Sequence, residues 1–428
     1  MSRFLSLLGL LSLLALGGCD GDEPPAGHLP ALTPLPECPD ADYSTCDIRD
    51  RPCQERIGRL AACLRGDEPI ANLSIDVLSE SAFATMLRAD APEPPTATEI
   101  RYLSALSLFD LWPAGVSTTE DGVQDTAKNI AGLYLEHDKR IIIVDHDRPS
   151  TAVHSNMTLL HEYIHALQDV DYDLSNWPQG VEVKSFDGHL ARKSLIEGEA
   201  RFYEYRASVP LLGLDIAEVD FDSAMQEHFD HVLEKAFESD APMNASFLTF
   251  PYAYGARQVH AAWRAGGPRG TDPLWASAPA SSQQVMSGVL GIDQPQSSSV
   301  EIPTPDMTGT NLTVEFGDVL GAWGLNLLLE RKHVNDAVEL ALGWRGDRFW
   351  VARDARSTDA SCVLWEIELE SEASAKALND AFASFGTLTG AVGVDHETAG
   401  KRVYLNSAYK AVPSSELAAA GKRWLSGN

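Results

Sequence analysis

Residues 161–165 read His-Glu-Tyr-Ile-His, a spacing that can bring two imidazoles onto one metal ion. On an α-helix, positions four apart project from the same face, so the ring nitrogens of His161 and His165 can bind the same ion. Glu162 lies beside the first histidine and points past it, toward the place of a metal-bound water, where a carboxylate can act as a general base. This short segment therefore predicts metal-assisted hydrolysis.

Helices must position these groups, and the flanking sequence favours one. Residues 157–160 and 166–168 contain good helix formers and neither Pro nor Gly. A catalytic zinc also needs a third protein ligand and an open position for water. We expect that ligand from a second helix over residues 189–206, which contains two glutamates close together.

The two glutamates, Glu197 and Glu199, compete for the role of third ligand. They are two residues apart, so on a helix they point to nearly opposite sides and only one can face the metal. Apolar neighbours on both sides of Glu197 favour it, whereas Glu199 falls closer to polar positions. We predict Glu197 as the ligand, with Glu199 as the alternative, and expect Gly198 to let the two helix backbones approach closely.

Three segments of the sequence together resemble a known class of enzymes. They are HEYIHALQDVDYDL at residues 161–174, LIEGEA at 195–200 and PYAYG at 251–255. In these segments the chain resembles the gluzincin class of zinc metallopeptidases, and particularly a bacterial group of secreted proteins and lipoproteins. The resemblance extends over residues 100–270, and more loosely over 311–385.

That resemblance implies a single catalytic zinc ion bound by His161, His165 and Glu197. It also implies that Glu162 is the catalytic base. The fold that it implies is a mainly helical, zincin-like catalytic domain, and the substrates are peptides or proteins.

One position departs from the pattern of the class. Many gluzincins place an Asp four residues after the third ligand, where it orients a ligand histidine, and here that position is Arg201. The orienting hydrogen bond must then come from another residue. Asp169, four residues after His165, and Asp187 are the candidates.

Tyr252 and Tyr254 precede a predicted helix over residues 255–265. A phenol near the metal can donate a hydrogen bond to the oxyanion of a tetrahedral intermediate. The YxxG pattern of the bacterial group favours Tyr252 for this role. The alternative for each tyrosine is a buried aromatic residue at a helix entry.

Two apolar runs, residues 130–135 and 140–144, flank a short polar turn and predict a β-hairpin. Zincin-type peptidases hold an extended peptide along an edge strand above the metal helix, where backbone pairing gives affinity with little sequence preference. The hairpin is a candidate for that edge, and a purely structural hairpin is the alternative.

The N-terminus resembles the signal peptide of a lipoprotein over residues 1–18. Its apolar stretch is too short to span a bilayer as a mature helix, and Leu-Gly-Gly-Cys at 16–19 resembles a bacterial lipobox. Cleavage before Cys19 would leave a lipidated cysteine at the new N-terminus. The acidic, Pro-rich residues 19–37 would then form a tether to the membrane, which predicts a bacterial cell-envelope location.

Four of the six cysteines lie close together in the sequence: Cys38, Cys46, Cys53 and Cys63. They predict two disulfides within residues 38–68 and an oxidising compartment. A helix over residues 53–65 would place Cys53 and Cys63 about 15 Å apart along its axis, too far for a direct bridge. This leaves 38–63 with 46–53, or 38–53 with 46–63.

The rest of the sequence predicts an α+β fold. The zincin-like catalytic domain covers residues 69–310, with a helical entry over 69–115 and loops over 266–310. A smaller α+β lobe follows over 311–428, where two helices precede short strands. The net charge of −29 argues against nucleic acid as a partner.

Together these patterns predict a zinc-dependent peptidase, a hydrolase held at the membrane by an N-terminal lipid anchor. The alternative is a non-catalytic envelope lipoprotein that keeps the zincin fold for binding or assembly.

Overall fold

The computed structural model describes residues 35–89, 96–113, 127–146, 152–178, 183–290, 300–305, 307–356, 361–385 and 394–409. Cys19, the predicted signal peptide and most of the predicted tether lie outside these residues. Within the described part of the chain, no helix combines the length and the apolar character needed to cross a membrane.

Two disulfides, Cys38–Cys63 and Cys46–Cys53, close the N-terminal segment, with Cα–Cα distances of 6.0 and 5.7 Å. This is one of the two pairings that the helix geometry leaves open. The helix itself, α1 (Arg51–Arg65), begins with a proline in its first turn and ends at Gly66, which adopts the left-handed conformation.

A small sheet of three strands follows, with β3 (Arg140–Asp145) at its centre. Strand β2 (Gly132–Leu135) pairs with β3 in antiparallel fashion, which confirms the predicted hairpin. Strand β1 (Ser74–Ser79) pairs with β3 in parallel, so the expectation of a helical entry over residues 69–115 was wrong at this strand. Two helices complete the entry: α2 (Glu80–Ala89) and α3 (Ala97–Ser107).

The centre of the molecule consists of two long packed helices, α4 (Ala152–Tyr172) and α5 (Phe186–Leu211). Ser185 caps α5 by accepting a hydrogen bond from the backbone of Gly188. The next elements cover these helices: α6 (Phe221–Glu238), α7 (Pro242–Phe250), a π-helical turn (Pro251–Gly255) and α8 (Ala256–Gly266).

Residues 266–310, expected to be loops, contain short helices. These are a 3₁₀ turn (Gly267–Thr271), α9 (Asp272–Ala276) and α10 (Ser282–Leu290). Residues 266–310 contain many Gly, Pro and Ser residues, so the apolar pattern of these helices is weak in the sequence. Val285 and Met286 of α10 are fully buried in the main hydrophobic core, and this tertiary burial holds a helix that local propensity does not predict.

The C-terminal region forms an antiparallel sheet of five strands in the order β4-β5-β6-β8-β7. The strands are β4 (Leu312–Asp318), β5 (Trp344–Asp354), β6 (Ser361–Leu369), β7 (Val394–Ala399) and β8 (Arg402–Tyr409). Its helices are α11 (Gly321–Arg331), α12 (Ala337–Leu342) and α13 (Glu372–Ala383). The fold is α+β, as predicted, although β4 was not foreseen.

One hydrophobic core runs across the expected domain boundary at residue 310. Phe186 of α5 and Tyr254 of the π-helical turn share it with Trp323, Phe349 and Trp365 of the C-terminal region. The C-terminal sheet therefore supports the start of α5, which is one of the helices that carry candidate ligands.

Candidate metal centre

The two long helices bring three candidate ligands to one point. Helix α4 supplies His161 and His165, whose Nε2 atoms are 3.1 Å apart, and α5 supplies Glu197. Glu197 Oε2 lies 3.4 Å from each of these nitrogens. All three side chains are buried. The predicted ligand set therefore converges, and Glu199 is not part of it.

Glu204 fixes the proton on the first histidine. Its Oε2 lies 3.0 Å from Nδ1 of His161, and because a carboxylate only accepts, Nδ1 must carry the hydrogen. The lone pair of Nε2 then faces the centre. Arg201, at the position where the resemblance expects an Asp, donates to the same oxygen of Glu204 at 2.7 Å.

Gln168 fixes the proton on the second histidine. Its amide nitrogen donates to Ile196 O at 2.9 Å and to Glu199 Oε2 at 3.0 Å, so the amide orientation is determined. Its oxygen then faces Nδ1 of His165 at 2.8 Å and accepts from it. The Nε2 lone pair of His165 is left pointing toward the centre, as in His161.

These donors fit a divalent metal. Among the described residues, no hydrogen-bond donor reaches Glu197 Oε2. Tetrahedral zinc with ordinary zinc–nitrogen bonds places two ligand nitrogens roughly 3.3 Å apart, close to the separation of the His161 and His165 Nε2 atoms. Lone pairs that face one another at this distance repel unless a cation lies between them. Imidazole and carboxylate donors suit zinc.

The charges around the site also favour a cation. Burial lowers the pKa of His161, but the neighbouring carboxylates of Glu197 and Glu204 outweigh it and raise this pKa to about 10. Burial raises the pKa of Glu197, yet Lys193 and His165 bring it well below its usual range. The same negative charge would stabilise a metal ion in place of that proton.

Lys193 contacts the remaining oxygen of the third ligand. Its Nζ lies 3.5 Å from Glu197 Oε1, one helical turn away on α5. Oε1 therefore faces a cation of the protein, and Oε2 is the oxygen that remains for a metal. Sequence reasoning did not single out Lys193, although its spacing from Glu197 places both on one helix face.

The side chain of Glu162, on α4, lies against strand β2. It is 2% exposed, and none of the described residues donates a hydrogen bond to its Oε2. A Cβ on Gly132 of β2 would lie 2.8 Å from Glu162 Cγ, so only glycine allows the strand this close. Burial raises the pKa of Glu162, and His161 and His165 act in the opposite direction.

Tyr252 borders the same site, whereas Tyr254 does not. The ring of Tyr252 meets that of His161 edge to face, with centroids 6.1 Å apart. The guanidinium of Arg201 lies 5.5 Å from the centre of the Tyr252 ring. Tyr254 instead packs against Phe229 and other aromatic residues of the core. For Tyr254 the alternative prediction therefore applies: it is a buried aromatic residue at a helix entry.

Neither aspartate expected to orient a ligand histidine does so, and that expectation was wrong. Asp169 accepts from Tyr134 Oη at 2.6 Å and Lys139 Nζ at 2.5 Å, and so ties the hairpin to α4. Asp187 accepts from the backbone and hydroxyl of Ser282, at 2.9 and 2.5 Å, near the start of α5. Among the described residues, neither carboxylate has a hydrogen bond to His161 or His165.

The residues that do orient the histidines carried a signal in the sequence. Gln168 lies three residues after His165, and Glu204 lies seven after Glu197. Spacings of three and seven keep two residues on the same helix face. The pattern of the class points to an aspartate, so it did not predict an amide and a glutamate in this role.

Gly198 permits a close approach, but to a different partner from the one expected. A Cβ there would lie 2.7 Å from the carbonyl oxygen of Gly255 and 2.8 Å from Ala256 N. The glycine therefore brings α5 against the π-helical turn that carries Tyr252, and not against α4. It sets the distance between two parts of the site.

Comparison with known proteins places part of the chain. A family model described as a domain of unknown function (DUF8575) matches residues 312–414. The described residues of this range form the C-terminal sheet and its helices. The match contains none of the candidate ligands. No curated protein and no solved structure matches the chain.

Proposed function

We propose that this protein is a zinc-dependent peptidase of the bacterial cell envelope. The observation that carries the proposal is the convergence of His161, His165 and Glu197, whose ligand atoms lie within 4.8 Å of one another. Nδ1 of each histidine is already hydrogen-bonded to another residue, so each Nε2 is the nitrogen left for a metal. Glu162 occupies the place in the pattern where a general base acts. A site that had lost its catalytic activity would have no need to retain the base together with all three ligands.

The residues of the site would divide the chemistry among them. Zinc, when bound, polarises a carbonyl and makes water acidic. Glu162, buried and without a donor on Oε2, takes a proton from water and passes it to the leaving amine. Tyr252, whose ring meets that of His161 edge to face, would donate a hydrogen bond to the oxygen that gains negative charge.

Strand β2 supports a peptide as the substrate. It forms one edge of its sheet and lies so close to α4 that Gly132 nearly touches Glu162. An extended peptide added to this edge by backbone pairing would pass beside the base. Main-chain pairing requires little sequence preference, so we expect hydrolysis of varied peptides.

Two further features support the envelope location. The lipobox pattern at Cys19 predicts a lipid anchor, and the two disulfides suit an oxidising compartment. The membrane would then be a partner through the N-terminal lipid, with the catalytic domain outside the cytoplasm.

The test combines metal analysis with a change of the base. We expect about one zinc per chain in both the wild type and Glu162→Gln, because the base is not a ligand. Hydrolysis of a mixed peptide library should fall by about 10²- to 10⁴-fold in Glu162→Gln. Glu227→Gln, on the exposed surface of α6, is the matched control and should keep full activity.

Two results would contradict the proposal in different ways. Zinc binding without hydrolysis of any peptide by the wild type would favour the non-catalytic lipoprotein. Absence of zinc from the wild type, after incubation with the metal, would remove the metal centre itself.

A further inference from the structure

Arg65, at the end of α1, is a buried cation that joins the two metal-site helices. It is only 3% exposed. Its Nη1 donates to Asp171 on α4 at 2.6 Å, and its Nε donates to Glu199 on α5 at 3.1 Å. A third carboxylate, Asp67, lies 2.5 Å from Nη1. A single guanidinium therefore links the helix of the histidines to the helix of Glu197.

A chain of buried hydrogen bonds continues from Arg65 to a ligand. Glu199 Oε2, held by Arg65, accepts from Gln168 Nε2 at 3.0 Å. Gln168 Oε1 in turn accepts from His165 Nδ1 at 2.8 Å. The other oxygen of Glu199 accepts from Thr271 at 3.0 Å, so the carboxylate has a fixed orientation.

The N-terminal disulfide segment holds Arg65 in place. Cys63, two residues earlier, is bonded to Cys38. The apolar face of α1, including Leu60 and Leu64, packs in the same core as Tyr163 of α4. Arg65 therefore reaches the metal site from a rigid element on which the sequence pattern placed no functional residue.

We infer that Arg65 is a positioning residue of the metal centre, acting on His165 through Glu199 and Gln168. This inference rests on the proposed function. If the Glu199 carboxylate loses its cation, it is left as an unpaired buried charge and turns toward water, so Gln168 Nε2 loses one of its two acceptors. The amide then no longer holds its oxygen firmly against His165 Nδ1, and the imidazole loses the acceptor that keeps its proton there. A share of the imidazoles then carries the proton on Nε2, which blocks the nitrogen that binds the metal.

The experiment measures zinc affinity by competition with a chelator, and the absorption spectrum of the cobalt-substituted protein. We expect Arg65→Met to bind zinc more weakly, by up to about 10- to 100-fold, which is the effect of losing a direct partner of a ligand histidine. Its cobalt spectrum should change as well. Arg65→Lys keeps the positive charge but loses the planar guanidinium that binds several carboxylates at once. Its zinc affinity should lie between those of the wild type and Arg65→Met.

The matched control is Arg206→Met. Arg206 is another buried arginine, 6% exposed, and it pairs with Glu37 of the same N-terminal segment at 2.6 Å. No hydrogen bond in the described residues leads from it to a ligand histidine. The control should lose stability as Arg65→Met does, yet keep its zinc affinity and cobalt spectrum.

Several outcomes would decide the inference. Wild-type affinity in both Arg65 variants, or equal weakening in Arg206→Met, would overturn it while leaving the peptidase proposal intact. If Arg65→Met does not fold, Arg65→Lys alone carries the test, and an affinity equal to that of the wild type overturns the inference. A wild type that binds no zinc would instead refute the proposed function, and the inference with it.

Discussion

Gly198→Ala tests whether α5 and the π-helical turn touch through their backbones. The added Cβ would lie 2.7 Å from Gly255 O and 2.8 Å from Ala256 N, whereas ordinary Cβ contacts begin at 3.4 Å. The obstacles are backbone atoms, which cannot rotate away as a flexible side chain can. The helix must therefore move relative to the turn that carries Tyr252.

Two opposing effects decide whether Gly198→Ala raises or lowers the free energy of unfolding. Alanine in a helix interior is more favourable than glycine by about 1 kcal/mol. Overpacking of a tight contact costs about 1–3 kcal/mol, and a backbone obstacle belongs at the upper end of that range. We therefore expect Gly198→Ala to lower the free energy of unfolding by about 1–2 kcal/mol.

Urea denaturation followed by tryptophan fluorescence measures this difference. Gly266→Ala is the control, because a Cβ there has no atom within 4 Å, and we expect a change within about 0.5 kcal/mol. A stabilised Gly198→Ala, by the roughly 1 kcal/mol that helix propensity alone gives, would show that the close approach does not exist.

Two further predictions concern the oxyanion donor and a buried acid. Tyr252→Phe should lower kcat for peptide hydrolysis by about 10²- to 10³-fold without changing zinc affinity. Tyr254→Phe is the control. An unchanged kcat in Tyr252→Phe, or an equal loss in Tyr254→Phe, would exclude the donor role. Burial raises the pKa of Asp187 from 3.8 to about 7, so the folded state keeps a proton that the unfolded state releases. The stability that this proton gives is complete below pH 3.8 and is lost as pH rises through about 7. In Asp187→Asn, the free energy of unfolding should therefore change less with pH between these values. The same pH dependence in the variant and the wild type would refute the prediction.

Local patterns predicted those parts of the molecule that depend on neighbours in sequence. The helix of His161 and His165 follows from its spacing, and the hairpin follows from two apolar runs around a short turn. The helical spacing of Cys53 and Cys63 excluded one disulfide pairing, and the structure has one of the two that remained. In each case the distance was fixed by the geometry of a single element.

Features that depend on distant pairing were missed. Strand β1 forms because residues 74–79 meet β3, more than sixty residues later in the chain. Glu199 was assigned to polar surroundings on its own helix, but its cation is Arg65, 134 residues earlier. Periodicity along one segment contains no information about such a partner, because folding of the whole chain selects it.

The departure at Arg201 follows from the charge that the site must bury. In the pattern of the class, the aspartate expected at this position orients a ligand histidine. Glu204 performs that task from one turn further along α5, and because it is only 7% exposed, its carboxylate needs a cation to offset the loss of water. Arg201 supplies it at 2.7 Å, so the arginine and the displaced glutamate form one arrangement that keeps His161 correctly protonated.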